Sequence, residues 1–401
     1  MNILLFSHVE VSAIPLAGGI QRVTQLLANA FIDSGYQVFH SFFSKSKDDI
    51  QIPFVDQIQL WWGQEYEQLK LFLLKNKIDF IIFQNVGGHE TLLEDVRKAA
   101  DETGSRVIFC LHVPPDGSLV KPSLPTEFYK LVRWQNPKIC IRRLMAGCLP
   151  RPIYNHTALK KMHRQFDVYN RYSHKIVLLS ESHIETYCKI SKLADKQKVT
   201  SISNPLTFSE FITEKEFFEK QNEVLILCRL TDRHKRVTES LTIWQKIQNQ
   251  TAAKDWKLTI VGSGDDEAYI KNFARKLNLK NISFDGFQHP LAYFKRAKIF
   301  IMTSSAQEGF GMTLLEAQQN GTVPIAFDSF TALHDIIEHE KSGIIVENQN
   351  FTQYAEKLVD LMKNEEKRIL LAKNAMKSCE KFSAQNIANE WTKLFEKMKN
   401  E

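Results

Sequence analysis

Apolar runs and amphipathic stretches take turns along the first half of the chain. Ile3 to Ser7 reads as a buried strand that breaks into a polar, glycine-bearing loop ending at Gly18-Gly19. Val23, Leu26, Leu27, Ala30 and Phe31 then recur at helical spacing, which predicts a helix from about Gln21 to Ser34. Gly35 ends it, and Gln37 to Phe43 is the next strand. Asp79 to Gln84, Arg106 to Leu111, Ile176 to Ser180 and Thr200 to Ser203 repeat the strand pattern. Helical patterns at Gln64 to Asn76, His89 to Thr103 and Ser182 to Tyr187 lie between them. Strand, loop, helix, strand is the βαβ unit of a parallel sheet, and the opening is Rossmann-like.

The second half repeats the scheme. Val224 to Cys228, Lys257 to Val261, Ile282 to Phe284, Ile299 to Met302, Thr322 to Phe327 and Ile344 to Val346 read as strands. Helices are expected at Val237 to Gln248, after Gly262-Ser263-Gly264, at Met312 to Gln319, and through most of the remainder. Ile387, Trp391, Leu394 and Met398 give the last helix one apolar face. Asn204-Pro205 is a linker signal. A chain of 401 residues is long for one domain, so two α/β domains are expected, 1–203 and 204–378, with 379–401 as a closing helix.

Composition narrows the class. No stretch offers 18 uninterrupted apolar residues, so no transmembrane helix is expected. The six cysteines show neither C-x-x-C nor zinc-ligand spacing, which points to buried thiols in a reducing, cytoplasmic compartment. The N-terminus enters a strand directly and has no leader pattern. Charge is uneven. Leu119 to Lys175 holds twelve Lys and Arg against Glu127 and Asp167, a net +10, so the rest of the chain carries −4 of the overall +6. This segment is also rich in aromatics, among them Phe128, Tyr129, Trp134 and Tyr154. An anionic membrane surface fits it, with bases at headgroups and aromatics at the interface. A nucleic-acid binder is the competing reading, but no nucleic-acid motif is present. A solvated basic face is the plain alternative.

The candidate chemistry centres on Thr303 to Asp328. Gly309 and Gly311 let backbone approach a ligand closely, and the helix behind them offers free N–H groups and a positive dipole end. Glu308 and Glu316 would repel a phosphate, so they suit hydroxyls of a sugar or ribose. Glu316 also fits a capping box with Thr313, which leaves a purely structural role open. His112 follows a strand at its carboxyl end, where open α/β sheets bind ligands. Asn85 and His89 follow the preceding strand in the same way and suit an acceptor. The opening loop lacks G-x-G-x-x-G, which argues against a nicotinamide cofactor.

Glu308-Gly-Phe-Gly-Met-Thr-Leu-Leu-Glu316 resembles the E-x7-E motif of the large family of retaining glycosyltransferases with the GT-B fold, the family 4-like group. The resemblance implies two Rossmann-like domains facing a cleft, with the last helix crossing back to the first. It implies a nucleotide-sugar donor, UDP- or GDP-linked, and no other cofactor. Glu316 would bind ribose hydroxyls and Glu308 the transferred sugar, aided by Gly309, Phe310, Gly311, Met312 and Thr313. Arg229 and Lys235 would neutralise the leaving diphosphate. His112 would contact the donor sugar. Gly18 and Gly19 would lie near the phosphates, Gly262 near the nucleotide, and the loop of Phe287 beside the base. The absence of D-x-D is consistent with a metal-independent enzyme. The basic segment then suggests a lipid-linked or glycan acceptor, on a polyprenyl diphosphate, at the inner leaflet of the plasma membrane. Competing readings are a soluble acceptor, a phosphorylase or epimerase on the same scaffold, and a non-catalytic binding module.

Overall fold

The computed structural model describes residues 1–11, 19–45, 52–84, 90–133 and 135–401. Gly18, Asn85, His89 and Trp134 lie outside the described residues. The chain divides into two compact units: Met1–Asp116 with Leu159–Thr207 and Lys381–Glu401, and Gly117–Ala158 with Phe208–Glu380.

The first unit is built on seven strands, β1 (Asn2–Phe6), β2 (Gln37–Phe42), β3 (Gln57–Gln59), β4 (Phe80–Gln84), β5 (Arg106–Leu111), β6 (Lys175–Leu178) and β7 (Val199–Ser201). Their order is β3-β2-β1-β4-β5-β6-β7, and every pair is parallel. The central strands are apolar apart from a polar residue at one end, Asn2 or Gln84, because both faces of a parallel sheet are covered. One face carries an aromatic row. Phe6 stacks on Phe83 at 4.6 Å, Phe83 on Phe109 at 5.7 Å, and Phe109 on Tyr169 at 3.9 Å. The last helix, Ala384–Asn400, belongs to this unit. Its predicted apolar face is buried, with Trp391 and Phe395 5.9 and 5.8 Å from Phe31, and Phe395 stacked on Phe80 at 4.6 Å.

The second unit holds β8 (Gln221–Leu227), β9 (Lys257–Val261), β10 (Ile282–Gly286), β11 (Ala297–Met302), β12 (Val323–Asp328) and β13 (Ile344–Glu347). Their order is β10-β9-β8-β11-β12-β13, again all parallel. Trp244, Trp256 and Tyr354 are fully enclosed in its core.

Two features depart from expectation. β3 was not predicted, because three residues of the sequence Gln-Ile-Gln at a sheet edge carry no apolar run. The basic segment folds into three helices, Leu124–Val132, Pro137–Cys148 and Arg151–Tyr172. It does not lie wholly in the first domain, since residues 117–158 group with the second unit. The cause is specific. Lys130, almost buried, places its ammonium 2.5 Å from the Asp266 carboxylate. Tyr129 donates to the Ala268 carbonyl at 3.2 Å and its ring meets Tyr269 at 4.9 Å. Among the described residues, no helix is long and apolar enough to cross a membrane.

Candidate functional site

The loop after β8 is fixed by the loop after β9. Leu230 donates its N–H to the Ser263 carbonyl at 2.9 Å, and Asp266 donates back to the Leu230 carbonyl at 3.0 Å. The two backbones are so close that a Cβ on Gly262 would sit 1.9 Å from the Cys228 carbonyl oxygen, and one on Gly264 would sit 2.5 Å from that of Leu230. Gly262 also has φ +133°, a region that L side chains rarely adopt. Asp232 braces the other end. Its carboxylate accepts from the Thr238 N–H at 2.9 Å and the Thr238 hydroxyl at 2.8 Å, while its own N–H reaches Asp266 at 2.7 Å. The short helix Asp232–Lys235 and the start of the helix Val237–Ile247 are held by these contacts.

The loop after β11 is tied to the same place. Ser305 donates its N–H to the His234 carbonyl at 2.7 Å, and the Thr303 hydroxyl reaches the Arg236 carbonyl at 2.9 Å. Lys235 and Glu308 meet as an ion pair. Burial alone would push the Lys235 ammonium down, but the Glu308 charge beside it holds it above its ordinary range. Burial would likewise raise the Glu308 carboxyl, and Lys235 outweighs it and keeps the group ionised. Arg229 is exposed and its guanidinium makes no ion pair or hydrogen bond among the described residues, although its charge is felt at Lys235.

Gly311 caps the helix Met312–Gln319 with φ +97°, so Thr313 is not the cap and the capping-box alternative for Glu316 does not apply. The Thr313 hydroxyl, half-buried, has no hydrogen-bond partner among the described residues. Glu316 is fully buried inside this helix. Phe310 points into the core, so only its backbone can meet a ligand. Phe287, just past β10, is 58 % exposed.

Arg229, Lys235, Gly262, Phe287, Glu308 and residues 309–316 thus all belong to the second unit, at the carboxyl ends of β8 to β11. Ligands of open α/β sheets bind at this edge. His112 belongs to the first unit, past the end of β5, and hydrogen-bonds Gln84 at the end of β4. Burial lowers its pKa to about 4, so the ring is neutral near pH 7. Gly19 is the exposed first residue of the helix Gly19–Asp33, and a Cβ there would meet nothing within 4 Å. The braces Asp232, Asp266, Thr303 and Ser305 were not anticipated, because their partners are remote in sequence and no local motif marks them.

A family model described as Glycosyl transferases group 1 matches residues 208–378. An uncharacterised glycosyltransferase of Haemophilus influenzae is 23% identical over 218 residues, 54% of this chain and 60% of its own length. The GalNAc-alpha-(1->4)-GalNAc-alpha-(1->3)-diNAcBac-PP-undecaprenol alpha-1,4-N-acetyl-D-galactosaminyltransferase of Campylobacter jejuni is 26% identical over 204 residues, 51% of this chain and 56% of its own length. The matched part therefore spans little more than half of these relatives. Among solved structures, Anabaena Alr3699/HepE in complex with UDP aligns with a TM-score of 0.68 at 16% identity, covering 99% of this chain and 100% of that one. The fold, an α/β fold with two parallel-sheet domains, is that of the GT-B glycosyltransferases.

Proposed function

We propose that the protein is a retaining, metal-independent glycosyltransferase that moves a sugar from a UDP-sugar to a glycan or lipid-linked acceptor in polysaccharide or glycolipid assembly. The observation that carries this reading is the junction of Lys235 with Glu308, next to a free Arg229 and a glycine-capped helix start. Such a group can hold both halves of a nucleotide sugar. Arg229 grips diphosphate oxygens in a fork, and Lys235 adds a point charge. These cations offset the charge that grows on the leaving diphosphate, a role otherwise filled by metal. Glu308, already ionised, accepts from hydroxyls of the transferred sugar, and Glu316 from ribose. Among the described residues no side chain is an obvious nucleophile, and the reading takes from the resemblance a front-face transfer, with the leaving phosphate taking the acceptor proton. Neutral His112 serves as a hydrogen-bonding group rather than an acid.

Uridine is the preferred base because HepE has been solved with UDP and with UDP-glucose. A lipid-linked acceptor is supported by the undecaprenol-linked substrate in the name of the Campylobacter relative. With such an acceptor the protein would work in the cytoplasm, peripheral to the inner leaflet. The test is thermal shift with UDP, GDP and ADP in the presence of EDTA. UDP should raise the melting temperature with the logarithm of its concentration over its Kd, and EDTA should leave the shift unchanged. The reading fails if no nucleotide shifts the transition.

A further inference from the structure

The first unit contains a second candidate site, lined by residues that the donor-site reading does not use. A cavity of about 390 Å³ is lined by Trp62, Gly63, Glu65, Thr91 and Asp95. This is within the roughly 300–1,000 Å³ range of small-molecule sites. It lies where the helices Glu65–Asn76 and Glu90–Thr103 begin, just past β3 and β4. Trp62 is held in place by stacking on Phe43, with ring centres 4.1 Å apart and planes 7° from parallel, and is still 54 % exposed. Glu65 is only 5 % exposed, yet among the described residues no hydrogen bond or ion pair reaches its carboxylate. Burial and the neighbouring Glu65 push the Asp95 carboxyl above its ordinary range. Asp95 is half-buried and feels the Lys98 charge, and among the described residues no hydrogen bond reaches either carboxylate, so both keep acceptor capacity for a ligand. Among the described residues no group of three His, Cys, Asp or Glu is arranged to hold a metal ion.

We propose that this cavity binds a pyranose ring of a glycan, with its apolar face on the Trp62 indole and its hydroxyls donating to Glu65 and Asp95. The ligand class rests on the glycosyltransferase reading; the geometry does not. An indole suits the C–H face of a sugar, and carboxylates with spare lone pairs suit vicinal hydroxyls.

Saturation-transfer NMR on the full chain tests it. The probes are the methyl glycosides of glucose, galactose, N-acetylglucosamine and N-acetylgalactosamine, with tetramethylammonium as a cationic control. At least one glycoside should bind wild type. Trp62→Ala, Glu65→Gln and Asp95→Asn should each weaken it roughly tenfold, the loss expected when a stacked ring or a charged acceptor is removed. Glu65→Gln covers the case that Trp62→Ala disturbs Phe43. The UDP-induced thermal shift should be the same in all variants. Glycoside binding that survives in Glu65→Gln and Asp95→Asn overturns the proposal, as does binding of tetramethylammonium alone or of no probe. Glycoside binding without any UDP shift would instead sink the donor reading and leave this site standing.

Discussion

Arg229 and Lys235 share one loop, yet their removal has different consequences. Arg229 is exposed and unpaired among the described residues, so Arg229→Ala should leave the urea midpoint within about 0.5 kcal/mol of wild type. Turnover should fall by on the order of 100-fold, the usual cost of one group that stabilises developing charge. Lys235→Ala should cost turnover as much and stability as well, because it strands the Glu308 carboxylate, which is 13% exposed. Equal stability in both variants would show that the pair does not form in solution. The residue types at this site were legible in the sequence as two cations and two acids. Their pairing was not, since Lys235 and Glu308 are 73 residues apart. Nor was protonation. His40, His112 and His174 are each held by burial at about 4, against 6.5 unfolded. Between pH 6.5 and 4 the unfolded chain takes up protons there that the folded chain refuses, so stability must fall as pH drops through that window. Histidine ring NMR signals that remain neutral to pH 5, with a falling urea midpoint, are the expected result.

The glycines separate at the scale of elements. The sequence pattern read Gly19 and Gly262 alike, as turn residues near the bound donor. Gly262 is locked by the Cys228 carbonyl and by its φ of +133°, so Gly262→Ala should displace the loop after β8. A loss of about 3 kcal/mol or more, with weaker UDP binding, is expected in denaturation and calorimetry. Gly19→Ala enters open space at a helix start and should stabilise by roughly 0.4–1 kcal/mol. If it also leaves turnover intact, Gly19 makes no close approach to phosphate. Ten or more strands were legible because buried parallel strands are near-continuous apolar runs. The helices between Leu124 and Tyr172 were not, because much of their apolar surface points outward. Phe128, Val132, Ile141 and Met145 are exposed, and the pattern reads as a surface rather than as an amphipathic helix facing a core.

At the scale of the whole molecule, the +10 segment is two different things. Residues 117–158 carry net +6 on the second unit, and 159–175 carry net +4 on the first. Several of these bases are engaged: Lys130 with Asp266, Arg143 with Glu127 at 3.2 Å, and Arg171 with Asp167 at 2.6 Å. Lys138, Arg142 and Arg151 are exposed near the outward apolar side chains. Each base near an anionic leaflet contributes about 1 kcal/mol. Lys138→Glu with Arg142→Glu and Arg151→Glu should therefore abolish flotation with anionic liposomes at low salt. Lys160→Glu with Lys161→Glu should weaken it less. Wild type that ignores anionic liposomes would make the acceptor a soluble one.

The helix Ala384–Asn400 that covers Phe31 and Phe80 also sets an order of events during synthesis. Everything the second unit needs, up to Glu380, leaves the ribosome before that helix does. The first unit, although its first strand is made first, cannot close over its aromatic residues until the final twenty-one residues arrive. The usual sequence, in which the N-terminal half folds first, is reversed here. A chain truncated after Glu380 should yield a protease-resistant fragment from the second unit and a digestible first unit. During that interval the uncovered faces of Phe31 and Phe80 are what a chaperone would meet.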